Sequence, residues 1–217
     1  MLDDLKELNG IRERVDFLGY EFLTWLFLFL DHEDAPTDLE KVTSNLIRNS
    51  KITVILGERL VTCLFAHKEQ KTTVASPVLE SSHEVFASIK NGHLIEALSV
   101  KLSIGDINVG LALHAQDFAF TQIKIKNRFE DASLTDPDDD LDEHDFIREE
   151  IFLRTQALKD VERVIDALFA RFLEERLRPK VYQDRLNAMR QQVEARLGSY
   201  LHKKATRDAE GHALKLM

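Results

Sequence analysis

The chain has 217 residues, 44% of them hydrophobic, with a formal net charge of −9 and a single cysteine. A chain of this size can bury about 70% of its unfolded surface, so it needs no scaffold of disulfides, and the unpaired Cys63 fits a reducing compartment. The N-terminus, MLDDLKELNGIRERVD, lacks a basic stretch followed by an apolar one, so no secretory leader is expected and a cytoplasmic location is the expectation.

In chain order, the first element is the run from Phe17 to Leu30, FLGYEFLTWLFLFL, interrupted chiefly by Glu21 and Thr24. It is too short for a membrane span, which takes about 20 apolar residues, so it reads as a helix enclosed by other elements or by a partner chain. Pro36 disfavours helical geometry at Ala35, and Thr37 with Glu40 then match a capping box opening a second helix, whose apolar face is Leu39, Val42, Leu46 and Ile47. Ile52 to Leu56 and Leu60 to Ala66 read as paired strands around Gly57-Glu58-Arg59, with Lys71 to Ser76 as a further strand. Ser81 and Glu84 repeat the capping-box pattern before Val85, Phe86 and Ile89, and Asn91-Gly92 ends that helix.

Leu94 to Ile104, a Gly105-Asp106 turn, Ile107 to Ala115 and Phe118 to Lys126 form an antiparallel meander. On its last strand Lys124 and Lys126 alternate with Ile123 and Ile125, so one side of the sheet meets water or a charged ligand. Glu130 to Asp145 contributes nine acidic residues and no Lys or Arg, and the remaining acids balance the basic residues. Phe146 to Leu177 then carries apolar residues at helical spacing for about eight turns. Beyond Pro179, Val181 to Leu201 shows a narrow seam of Tyr182, Leu186, Met189, Val193, Leu197 and Tyr200 on an otherwise charged helix. The expected fold is α+β: an antiparallel sheet packed with a buried hydrophobic helix and a long helix, in a domain over 1–177, plus a basic C-terminal helical arm over 178–217. There is no internal repeat.

Between Arg171 and Arg207 ten basic residues face four acidic ones. An array of this kind is what duplex DNA requires, because each neutralised phosphate releases counterions; the competing reading is a solvated helix face. No aromatic residues interleave with the cations as single-strand stacking would need. In the acidic run, Asp138, Asp140, Asp142 and Glu149 fall at calcium-loop positions 1, 3, 5 and 12, but Glu143 stands where the loop needs glycine, so a solvated linker is expected. A further reading is that this run mimics DNA charge and covers the basic surface. No catalytic motif is present: there is no G-x-S-x-G, no phosphate-binding glycine loop and no zinc spacing, and the strands offer only Glu96 and Asp106 beside Lys101 as carboxylates for a nuclease metal. No cofactor or metal is expected.

Four segments, FLGYEFLTWL, LGERLV (Leu56 to Val61), NGHLIEALSVKL (Asn91 to Leu102) and VIDALFARFLEERL (Val164 to Leu177), together resemble the C-terminal half of the recombination-associated protein RdgC family. The likeness spans roughly Phe17 to Leu177. It implies a non-catalytic DNA-binding protein of mixed α and β structure; members of that family are similar in forming ring-shaped dimers that encircle duplex DNA and restrain recombinase filaments. A typical member's N-terminal half has no counterpart in this sequence, and the tail after Leu177 is an addition. Lys124 is the position carried over from the family, and Lys126 follows from the same exposed face. The expected DNA contacts are Lys124, Lys126, Arg171, Arg178, Lys180, Arg185, Arg190, Arg196, Lys203 and Lys204. Duplex DNA and a second copy are the expected partners, with no membrane. The alternative is a protein-interaction module in which the 182–200 seam pairs with another helix.

Overall fold

A computed structural model describes residues 17–32, 34–44, 46–47, 50–64, 67–79, 82–126 and 143–215. The elements are α1 (17–30), α2 (Ala35–Thr43), β1 (Ile52–Leu64), β2 (His67–Ala75), α3 (His83–Lys90), β3 (His93–Ile104), β4 (Ile107–His114), β5 (Phe120–Lys126), α4 (Glu143–Arg176) and α5 (Pro179–Lys215). The strands form one antiparallel sheet in the order β2-β1-β3-β4-β5. This is the expected α+β architecture.

Two local expectations are corrected. Gly57-Glu58-Arg59 does not turn the chain; β1 runs straight through it, and its register against β3 shifts between Leu56 and Leu60. Such a bulge leaves extra residues unpaired without ending the strand. The Ser99 hydroxyl fills the gap, accepting from the Arg59 N–H and donating to the Arg59 carbonyl. The capping box of Thr37 and Glu40 does not form: α2 starts at Ala35 behind Asp34, without a side-chain cap hydrogen bond; Ser81 of the second expected box lies outside the described residues, and α3 starts behind Ser82. For α2 the reason is Pro36, which is well placed in a first helical turn because the N–H it lacks would have no partner there.

Helix α1 is the centre of the molecule. Phe22, Leu23, Trp25, Leu26, Phe27 and Phe29 are all buried, and each side of the helix meets a different element of the same chain. On the sheet side the Thr24 hydroxyl accepts from the Ile95 N–H at 3.0 Å while donating to the Tyr20 carbonyl. Phe22 packs against Phe169 and Phe172 of α4, with ring centroids 5.1 and 5.7 Å away, and against Phe118 after β4. Phe27 meets Phe86 of α3. Gly19 lies so close to the β4–β5 turn that a Cβ there would sit 1.9 Å from the Ala115 carbonyl oxygen.

The C-terminal helix is no appendage. Leu177 and Arg178 make a two-residue break between α4 and α5, and Met189, Val193 and Leu197 then join the same apolar cluster as α1 and the sheet. The apolar seam expected to recruit another helix is therefore occupied at its centre by this chain, and the expected division at 177 falls within one core.

Candidate nucleic-acid interface

The basic residues expected to meet DNA fall into two groups. Those in the first group are engaged with carboxylates on neighbouring helices. Glu175, 2% exposed, accepts from both nitrogens of the Arg185 fork at 3.0 and 3.1 Å and from the Trp25 indole at 3.1 Å, with Arg171 also 3.2 Å away. Asp31, buried, accepts from Arg196 at 2.8 Å and from the Gln192 amide at 2.6 Å. Glu21 takes Arg176 at 2.7 Å and the Tyr182 hydroxyl at 3.1 Å. Burial, reinforced by the adjacent Glu21 charge, pushes the Tyr182 phenol up to about 12. Two-pronged Arg–carboxylate pairs are among the stronger and more directional contacts available to side chains. Here they fasten α5 to α1 and α4, so Arg171, Arg185 and Arg196 already neutralise charge inside the fold.

The second group is exposed and holds no carboxylate among the described residues: Lys124, Lys126, Arg178, Lys180 and Arg190. Lys203 and Lys204 lie on α5, but their side chains are outside the described residues, as is the acidic run over 130–142. Arg178 and Lys180 stand at the α4–α5 break and Arg190 on α5, whereas Lys124 and Lys126 stand on the sheet. The eight described positions therefore do not form one array.

The sheet surface turned away from α1 does have an ordered polar pattern. Register places Lys101, Gly110 and Lys124 side by side on β3, β4 and β5, and Ser103, Asn108 and Lys126 side by side in the next row. Side chains directly opposite in a ladder share a face. Gly110 carries no side chain, and a Cβ built there would meet nothing within 4 Å, so the floor between the two lysines is open. Lys101 donates to Glu58 at 2.8 Å; that hydrogen bond and the Lys101 charge, with a smaller pull from Lys124, hold the Glu58 carboxyl below its usual range. Lys71 pairs with Glu96 further along the sheet. Lys101 and Gly110 were within reach of the sequence, because a two-residue Gly105-Asp106 turn pairs Ile104 with Ile107 and so fixes Lys101 opposite Gly110. The bulge that brings Glu58 to Lys101 was not.

Among the described residues no group of His, Cys, Asp or Glu could hold a metal ion, and no helix is long and apolar enough to cross a membrane. Comparison with known family models, characterised proteins and solved structures finds no match to this chain.

Proposed function

We propose that the protein binds double-stranded DNA without sequence preference, in the cytoplasm and without catalysis, through the solvent face of β3, β4 and β5. The observation that carries this reading is the pair of rows Lys101–Gly110–Lys124 and Ser103–Asn108–Lys126. The Lys124 and Lys126 ammoniums supply the counterion-releasing contacts, Lys101 being held by Glu58, and Ser and Asn side chains are the uncharged groups that hydrogen-bond phosphate oxygens. A strand glycine with open space above it lets a backbone approach the sheet closely. The face is built of strands, and lysine, serine and asparagine contacts of this kind go to the sugar–phosphate backbone. The likeness of residues 17–177 to the RdgC family supports the same partner, and from it follows a role in restraining recombinase filaments.

Fluorescence anisotropy with random-sequence duplex DNA at a series of salt concentrations tests the proposal. Binding should weaken linearly on a log–log plot, and replacing Lys124 and Lys126 by glutamine should lower the slope by about 2, roughly one for each lost phosphate contact. Absence of binding at low salt, or an unchanged slope in the double variant, removes the sheet face as the site.

A further inference from the structure

We propose that the groove between α4 and the β4–β5 turn is a binding site for a small organic cation, an ammonium joined to an apolar body. The groove has a volume of about 470 Å³ and is walled by Phe22, Phe118, Phe120 and Phe169, with Glu162 and Asp166 also lining it. That volume falls within the range of small-molecule sites, which are apolar clefts carrying a few placed polar groups. Phe22 is buried, whereas Phe118, Phe120 and Phe169 are half-buried. Phe169 stands edge-on to both Phe22 and Phe118, at 84° and 70°, with centroids 5.1 Å away in each case. Phe118 takes a φ of +53°, a backbone conformation that bulky residues rarely adopt. Two hydrogen bonds bracket it: the His114 N–H donates to the Ala119 carbonyl at 3.1 Å, and the Ala119 N–H to the Asp117 carboxylate at 3.0 Å. Strain of this kind is found at ligand clamps.

Charge decides the class of ligand. Glu162 and Asp166, one turn apart on α4, and Asp117, beside Phe118, are exposed and have no basic partner among the described residues. Of the basic groups nearby on α4, Arg163 is taken by Asp160 at 3.1 Å, and Lys159 stands a turn before Glu162. On the sheet, His114 turns its Nε2 to the Thr121 hydroxyl, 2.7 Å away, and Lys71 pairs with Glu96; on α1, Glu21 is held by Arg176. Three carboxylates therefore face one uncommitted ammonium, that of Lys159. Carboxylates and the negative faces of phenyl rings both attract a cation and both repel an anion. An apolar body seated on the rings leaves its ammonium at the mouth, beside Glu162 and Asp166. The site stands apart from the lysine rows and independently of DNA binding: Phe120 pairs with buried Leu113, on the side of the sheet turned to α1, whereas Lys124 pairs with Gly110 on the other side.

Isothermal titration of the full chain with phenylpropyltrimethylammonium, phenylpropanol and phenylpropionate tests the assignment. The cation should bind saturably, the alcohol about tenfold more weakly and the carboxylate not at all. In nuclear Overhauser spectra the N-methyl protons of the bound cation should contact the rings of Phe118, Phe120 and Phe169. Replacing both acids, Glu162→Gln with Asp166→Asn, should weaken the cation about three- to tenfold. Both side chains are exposed, so the double variant should keep the wild-type circular dichroism spectrum, melting point and affinity for the alcohol. A cation that does not saturate the protein by about 10 mM overturns the proposal. So do equal affinities for cation and alcohol, or an unchanged affinity for the cation in the double variant. Binding of a lysine-rich peptide where the small cation fails would also overturn it, making the groove a protein-docking surface instead.

Discussion

Glu21, Asp31 and Glu175 place carboxylates against the most apolar helix of the molecule, where desolvation is costly. Each is answered by an arginine, and Glu175 by a tryptophan N–H as well. An ion pair of this kind adds less net stability than its geometry suggests, but losing one partner leaves a buried charge exposed to the full penalty. The sequence showed Glu21 and Thr24 as interruptions of an apolar run; it gave no sign that Arg176 and Tyr182 lie across from Glu21, since a lone acid carries no signal of its distant partner. Tyr182 makes this network measurable. Its phenol ionises near 10 in an unfolded chain and is pushed up to about 12 here. Below pH 10 both states keep the proton; between 10 and 12 only the unfolded state releases it, so stability present below 10 is lost as the pH rises through that window. Absorbance titration should show a late-ionising tyrosine that is lost in Tyr182→Phe, and the same substitution should flatten the alkaline fall in stability.

Among the elements, α1 was the most legible, because a short segment apolar around its whole circumference has few stable settings other than enclosure. The meander was legible for a similar reason: alternation and a two-residue turn fix both face and register. The Thr37–Glu40 capping pattern and the apparent turn at Gly57 misled, since short polar motifs and glycines have several uses and tertiary context selects among them. Gly19 is an instance that sequence alone leaves undecided. Alanine is normally the better helix former, yet here its methyl would collide with the Ala115 carbonyl oxygen, which is backbone and cannot swing aside. Gly19→Ala should therefore destabilise the protein by about 1 to 3 kcal/mol, read as a melting point lower by about 3 to 10 °C.

At the level of the whole molecule, the basic stretch after Arg171 looked like a single cationic surface because sequence counts charges without their neighbours. The fold divides it, pairing Arg171, Arg185 and Arg196 with buried acids and leaving Arg178, Lys180 and Arg190 without such partners among the described residues. The candidate site was half legible: Lys124 and Lys126 were found from alternation, while Lys101 and Gly110 emerged from register. This division yields a discriminating expectation. Replacing Arg185 and Arg196 together by glutamine should cost about 1 to 3 kcal/mol for each pair, less than for fully buried pairs because both guanidiniums are partly solvated. Thermal denaturation should register that loss, while the salt slope for DNA stays unchanged.

The wrapping of α1 also constrains how the protein is made. The Leu28 carbonyl accepts a hydrogen bond from Gln192, 164 positions later, and the Trp25 indole donates one to Glu175, 150 positions later. During translation the aromatic ridge of Phe22, Trp25, Phe27 and Phe29 leaves the ribosome long before its final cover is synthesised. At about 5 to 20 residues per second, that delay lasts on the order of ten to thirty seconds. Closure of this core must wait until the chain has been made at least through Leu197, the last residue of α5 in the apolar cluster.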